Sequence, residues 1–331
     1  MAKPKVFVSR IIPDAGLQKV KTACDAEVWP EQLPPAYDVL VAKAAKCDGL
    51  VALLTDKIDA KLMDASPLLK VVSNYAVGFN NIDVKAATDR GIAVGNTPGV
   101  LTDATADMAF CLLIAAARRV VEGDRYSRSG KWKTWEPLGH LGQDLAGRTL
   151  GVIGMGRIGY GLAQRCRGGW GMQILYNDVY KNEKAEKELG ARQVDLNTLL
   201  SESDFVSVHT DLNEKTKGMF GAAQFARMKR SAVFINTARG PLVDQQALYT
   251  ALKTGTIFAA GLDVTDPEPP DSNDPLLQLP NVIIAPHIAS ATVQTRNAMA
   301  EICANNLLAG LAGQKLPCWV NPEVEGKSRQ S

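Results

Sequence analysis

The chain has 331 residues, 46% hydrophobic and 22% charged, with 37 Lys and Arg against 35 Asp and Glu. That length gives a prior of about two domains with ample core. The near-balance of charge leaves no electrostatic footprint for nucleic acid or an anionic membrane, so neither is expected as a partner. The six cysteines (Cys24, Cys47, Cys111, Cys166, Cys303, Cys318) form no C-x-x-C pair. A metal cage or redox dithiol is therefore not expected, and free thiols in a reducing compartment are. The start, MAKPKVFVSR, enters a strand-like run without a signal-peptide apolar region. The best apolar stretch, 108–117, is too short to span a bilayer, and the expected location is cytoplasmic.

Along the chain, KVFVSR (5–10) reads as a strand and AGLQKVKTAC (15–24) as a helix. DGLVALLT (48–55), KVVSNYAV (70–77) and GIAVGNT (91–97) read as further strands, with helical DVKAATDRG (83–91) among them. Short apolar, β-branched runs alternating with helices predict a parallel sheet covered on both faces. Residues 101–124 predict one long Ala-rich helix, capped by Thr102 or Asp103 and ending near Gly123. Residues 125–148, rich in Gly and Trp, predict an irregular excursion between domains. From Thr149 a second alternating series begins, with strands TLGVIG, MQILYND, FVSVHT, AVFINT, FAAGLDV and NVIIAP. A last helix is predicted over 292–312, returning the chain to the first domain. The fold class is α/β: two Rossmann-like or flavodoxin-like domains, each a parallel sheet with helices on both faces, separated by an active-site cleft.

TLGVIGMGRIGYGLAQRC (149–166) carries Gly154-x-Gly156-x-x-Gly159 between a predicted strand and a predicted helix. Gly154 permits the tight turn, Gly156 lets backbone approach a pyrophosphate, and Gly159 lets helix pack on strand. The helix N-terminus offers free N–H groups and positive dipole to the anion. Asp178, at the end of the next strand, can accept hydrogen bonds from the adenosine ribose. A carboxylate there repels a 2′-phosphate, which favours NAD; Lys181 and Lys184 nearby keep NADP possible.

Ligands sit at the carboxyl ends of strands in an open parallel sheet. Three strand ends in the second series deliver Arg239, then Asp263 with Glu268 in a Pro-rich loop, then His287. These residue types suit hydride transfer between a nicotinamide and a 2-oxo acid. A planar guanidinium grips a carboxylate bidentately. An imidazole gives a proton to the carbonyl oxygen as it becomes an alkoxide. A carboxylate beside that imidazole, Glu268, would favour its protonated form and fix its ring. Each residue alone has a plain structural reading: a hydrogen-bonded strand-end histidine, a solvated loop charge, a turn arginine. Their joint placement favours the catalytic one. His209 also follows a strand and is assigned to cofactor lining or structure, His140 to structure.

With these residues in view, the chain resembles the D-isomer-specific 2-hydroxyacid dehydrogenases, most closely the glyoxylate/hydroxypyruvate reductase branch. The markers are NYAVGFNNIDVKAATDRGIAVGNTPG, TLGVIGMGRIG, AVFINTARGPLVDQQAL, AAGLDVTDPEP and PHIASAT, in family order over nearly the whole chain. The resemblance implies a discontinuous substrate domain, 1–101 plus 290–331, around an NAD(P)-binding domain, 102–289, and a homodimer joined largely through the latter. It implies Arg239 as carboxylate anchor, Glu268 as partner and His287 as acid/base. It implies that Leu53 and the backbone of Val77 and Gly78 meet the substrate and that Arg157 and Ile158 meet the pyrophosphate. Thr210, Thr237, Ala238 and Asp263 would line ribose and nicotinamide. Two positions depart from many relatives: Asp211 replaces a Pro and would disfavour NADP, and Gly139 stands where some reductases are bulkier. The expected activity is reduction of glyoxylate, hydroxypyruvate or a similar small 2-oxo acid. The alternatives are a D-lactate or D-glycerate dehydrogenase and, in another class, an NAD(H)-sensing co-repressor-like binding protein. The short stretch after the last helix disfavours a C-terminal regulatory domain.

Overall fold

A computed structural model describes residues 2–327. The chain divides into two compact units, Met1–Leu101 with Ala291–Ser331, and Thr102–Ser290. In the first, β1 (Lys5–Val8), β2 (Asp25–Val28), β3 (Gly49–Ala52), β4 (Val71–Asn74) and β5 (Ala93–Gly95) form a parallel sheet in the order β2-β1-β3-β4-β5. Helices α1 (Asp14–Ala23), α2 (Tyr37–Ala44), α3 (Ala60–Asp64) and α4 (Val84–Asp89) connect the strands. Every residue of β3 and β4 is buried, as expected of strands covered on both faces. The sequence reading places no element over 25–47, where β2 and α2 lie. β2 is an edge strand, DAEV, with no fully buried residue, so it lacks the apolar run that marks the others.

In the second unit the expected single helix over 101–124 is two, α5 (Thr102–Ala117) and α6 (Val120–Arg128). The break lies at Arg119, whose backbone is left-handed with φ 55°. Its guanidinium bridges to Glu122 (Nε–Oε2 2.8 Å, Nη2–Oε1 2.5 Å), and the Gln143 N–H takes the Ala117 carbonyl that the break releases (2.8 Å). Those contacts come from the folded chain, which is why composition alone pointed to Gly123 as the end. Gly123 instead lies inside α6. α5 buries Ala104, Ala106, Ala109, Leu112, Leu113 and Ala116.

The unit continues through β6 (Thr149–Ile153), α7 (Arg157–Trp170), β7 (Gln173–Asn177), α8 (Glu183–Leu189), β8 (Arg192–Gln193) and α9 (Leu196–Glu202). Next come β9 (Phe205–Val208), α10 (Ala222–Arg227), β10 (Val233–Asn236), α11 (Gln245–Lys253), β11 (Ala259–Leu262) and β12 (Val282–Ile284). The parallel sheet runs β12-β11-β10-β9-β6-β7-β8. Its order reverses between β6 and β9, and such a switch point is where open α/β sheets bind ligands, beyond the strands' carboxyl ends. Strands β9, β10 and β11 are fully buried, and Phe220, Phe225 and Phe234 pack together in tilted and edge-on contacts within one core cluster. The two-residue β8 is exposed and carries no periodicity to read.

α12 (Val293–Leu311), capped by the Thr292 side chain accepting from the Thr295 N–H (3.1 Å), completes the first unit. It packs on β3, β4 and β5, where Ser73 Oγ donates to the Cys303 carbonyl (2.8 Å). No helix among the described residues is long and apolar enough to cross a membrane.

Candidate active site

The carboxyl edge of the seven-stranded sheet collects the expected residues of the second unit. β6 leads into the glycine loop. Gly154 has φ 88°, and a Cβ there would lie 2.8 Å from the His209 carbonyl carbon and the Thr210 nitrogen. A Cβ on Gly159 would lie 2.2 Å from the Gly154 carbonyl oxygen, so strand and helix meet at contact only glycine allows. At Gly156 a Cβ would meet nothing within 4 Å; its neighbour there is open space rather than protein. Gly156 caps α7 without a side-chain hydrogen bond. The first-turn N–H groups of Arg157 and Ile158 thus lie at a helix N-terminus without a side-chain cap, beside the open space at Gly156, and such a terminus favours an anion.

Asp178 stands just past β7. Its carboxylate accepts from the Met155 N–H (2.8 Å) and the Tyr180 N–H (3.2 Å), and Asn182 Nδ2 donates to the Met155 carbonyl (2.7 Å). The acid therefore fixes the glycine loop. Next to the loop, His209 Nε2 pairs with Ser207 Oγ (2.8 Å), and burial pushes its imidazole down to about 4, which keeps the ring neutral. Thr210 is part-buried. Thr237 is buried and its Oγ1 has no hydrogen-bond partner among the described residues, a buried polar atom left unsatisfied. The orphaned hydroxyl, the uncapped helix and the Gly156 opening together fit a dinucleotide.

Arg239 follows β10 in a turn clamped by Asn236, whose side chain accepts from the Ala238 N–H (3.0 Å) and donates to the Arg239 carbonyl (2.9 Å). Its Nη1 donates to the Ala238 carbonyl (2.6 Å). Burial pushes the guanidinium down, opposed by the negative charges of Glu268 and Asp211. Gly240 lets this turn lie against the next loop, since a Cβ there would fall 1.8 Å from the Thr265 carbonyl oxygen. Gln245 ties the same loop from α11 by accepting from the Asp266 N–H (3.0 Å).

Glu268 and His287 meet directly, Oε1 to Nδ1 at 2.5 Å. Both keep solvent access, with side chains 40% and 29% exposed, so a ligand can reach them. His287 lies in left-handed backbone, φ 53°, a region few residues with a Cβ adopt. Asp263 holds it there. The Asp263 carbonyl accepts from the His287 N–H (3.0 Å), and its buried carboxylate accepts from Ile288 N–H (2.8 Å) and Ala289 N–H (2.9 Å). Burial raises the Asp263 carboxyl, and those two N–H groups oppose the rise.

The site as built is a glycine-loop nucleotide cradle next to a guanidinium and a carboxylate–imidazole pair, and the comparisons match it. Residues 110–289 match the model of the D-isomer specific 2-hydroxyacid dehydrogenase NAD-binding domain. The chain belongs to the D-isomer-specific 2-hydroxyacid dehydrogenase family. A glyoxylate reductase of Korarchaeum cryptofilum is 55% identical over 323 residues, covering 97% of each chain. A crystal structure of a protein from Thermus thermophilus superposes with a TM-score of 0.90 at 44% identity, covering 96% of this chain and 99% of that one. An NADPH-dependent glyoxylate/hydroxypyruvate reductase from Sinorhizobium meliloti, solved with NADP and malonate, matches with a TM-score of 0.85 at 31% identity over all of both chains. This family member is an NAD(P)-dependent dehydrogenase of the 2-oxo acid/2-hydroxy acid couple.

In the first unit the expected substrate contacts also lie beyond carboxyl ends: Leu53 after β3, and Val77 and Gly78 after β4, all part-buried. His140 stands apart, φ 50°, in tilted contact with Tyr126, ring centroids 4.7 Å apart. The sequence reading missed Asn236, Gln245 and the use Asp263 makes of its carboxylate. Only for Asn236 was there a signal: a short amide side chain closing a strand just before a turn, where such groups bond local backbone.

Proposed function

We propose that this dehydrogenase reduces a small 2-oxo acid, glyoxylate or hydroxypyruvate, to the corresponding 2-hydroxy acid. The observation that carries the reading is the 2.5 Å contact between Glu268 Oε1 and His287 Nδ1. With Nδ1–H donated to the carboxylate, Nε2 is the nitrogen left to hold a proton and give it to a substrate. NAD(P)H, when bound, supplies the hydride to the carbonyl carbon. His287 gives the Nε2 proton to the carbonyl oxygen, and the negative charge of Glu268 steadies the imidazolium before that transfer. Arg239 holds the substrate carboxylate through its fork, and Leu53 with the N–H groups of Val77 and Gly78 contributes the other substrate contacts. Gly154, Gly156, Arg157, Ile158 and Gly159 hold the pyrophosphate and Asp178 the adenosine ribose, with a preference for NAD over NADP. His209, Thr210, Thr237, Ala238 and Asp263 shape the remaining wall. Residues 102–289 thus hold the nucleotide and carry Arg239, Glu268 and His287, and residues 1–101 with 290–331 form the substrate domain.

Exposed apolar side chains cluster between 120 and 141, with Trp135 80% and Leu138 81% exposed. That supports a homodimer joined through this segment. The free cysteines support a reducing, cytoplasmic setting. The test is NADH and NADPH oxidation with a panel of 2-oxo acids. Turnover of glyoxylate or hydroxypyruvate above pyruvate is the expected result; tight NADH binding without turnover of any acid would instead point to a nucleotide sensor.

A further inference from the structure

We propose that Asn74 and Asn96 are positioning residues that preset the backbone of residues 77–79 as a cradle for the substrate carboxylate. The inference rests on the reading of Val77 and Gly78 as carboxylate donors. The loop leaves β4 at Asn74 and runs beside the end of β5, and its four successive carbonyls are all held by the protein. The Ala76 carbonyl accepts from the Thr97 N–H (2.8 Å) and the Phe79 carbonyl from the Ile82 N–H (3.0 Å). Between them, the Val77 carbonyl accepts from Asn96 Nδ2 and the Gly78 carbonyl from Asn74 Nδ2, both at 2.8 Å. A carbonyl only accepts, so the atom facing each must be the NH2 of the amide, which fixes both side-chain orientations.

A trans peptide is planar, with C=O and the following N–H pointing opposite ways. Holding the carbonyl of 77 therefore aims the N–H of Gly78 away from Asn96, and holding that of 78 aims the N–H of Phe79 away from Asn74. The Thr97 bond does the same for the Val77 N–H. None of these three N–H groups donates to any described residue. Val77 and Gly78 are part-buried and Phe79 exposed, so an anion can reach them. A run of oriented, unbonded N–H groups is an anion site.

The two asparagines are themselves braced. Asn74 is fully buried and pairs with Asn81 (Nδ2 to Oδ1 3.2 Å). Asn81 Nδ2 in turn donates to the carbonyls of Leu53 (2.9 Å) and Asp56 (3.0 Å), tying in the β3 loop. The Asn96 carbonyl accepts from Asn306 Nδ2 on α12 (2.8 Å). Glycine-like freedom at the loop is thus removed before substrate arrives, and the donors need no reordering on binding.

The test compares wild type with Asn96→Asp and Asn74→Asp, near-isosteres that set an oxygen against the carbonyl oxygen. Asn96→Ser is the second variant; it removes the donor without placing a charge in the core, should the aspartates fail to fold. For each folded variant, kcat/KM for glyoxylate should fall by up to roughly 10²-fold, the cost of a misplacement near 1 Å. In each variant that folds, the loss should be carried by KM and matched by weaker oxalate inhibition, with NADH affinity little changed; the melting temperature should fall, because a buried donor is lost. In the wild type, oxalate should shift the backbone amide signals of Val77, Gly78 and Phe79. Folded variants with unchanged KM and oxalate inhibition would overturn the positioning role alone. Oxalate inhibition without movement of those signals would overturn the cradle while leaving the reductase reading intact. Wild type that neither turns over a 2-oxo acid nor binds oxalate would overturn both.

Discussion

Arg239 is useful because burial and geometry restrict it. Its guanidinium lies where desolvation disfavours its charge and the negative charges of Glu268 and Asp211 favour it, and its proposed role is to hold the substrate carboxylate. Lysine is a point charge on a flexible stem and cannot reproduce the fork. Arg239→Lys should therefore cut kcat/KM for 2-oxo acids roughly 10- to 100-fold, the worth of one or two charge-assisted bonds. Steady-state kinetics near wild type would remove Arg239 from the carboxylate site. His209 makes a different prediction. Its folded pKa of about 4 lies below the 6.5 of an unconstrained histidine, so the unfolded chain binds more protons between those values. Stability is then lost as pH falls through that window, by at most about 2 kcal/mol between pH 7 and 5. Asp56 and Asp263, whose carboxyls burial raises, act in the opposite sense, since the fold favours their neutral forms. Denaturant melts of the apo wild type and His209→Asn at the two pH values isolate the histidine. The wild type should lose more stability on acidification, and equal losses would contradict a desolvated, neutral ring.

At the scale of elements, the turn from β6 into α7 carries two glycines with opposite surroundings. Gly159→Ala must push a Cβ into the Gly154 carbonyl and should lower the melting temperature. Gly156→Ala meets no protein atom, so the apo fold should melt like wild type while NADH affinity drops. Intact NADH binding by Gly156→Ala would deny the cradle its pyrophosphate. The glycine spacing, the apolar run before it and Asp178 after it were all legible because each is a local pattern. Arg119 was not: its left-handed turn splits α5 from α6, and the Ala117 carbonyl that the break releases is taken by Gln143, far along the chain, which the sequence does not place beside it. β2 and β8 escaped for a related reason. Edge strands need no apolar face, so neither carries a periodic signal.

At the scale of the whole molecule, the parallel sheets and the chain's return through α12 were readable from alternating apolar runs. The supports of the site were less so. Asp263 reads as one more acid after a strand, yet its carboxylate fastens the two residues after His287. The exposed apolar side chains between 120 and 141 bear on the proposed homodimer. Light scattering should give a dimer for wild type and a monomer for Trp135→Lys/Leu138→Lys with the fold retained; a monomeric wild type would contradict it. Whether His287 handles the proton decides the proposed chemistry. The direct measurement is single-site kinetics of His287→Gln with glyoxylate and NADH, alongside NADH binding by fluorescence. Turnover should fall by roughly 10²–10⁴, the range of positioned acid–base catalysis, with NADH affinity nearly unchanged. Turnover close to wild type, or an equal loss of turnover and binding, would contradict it and return His287 to a structural role.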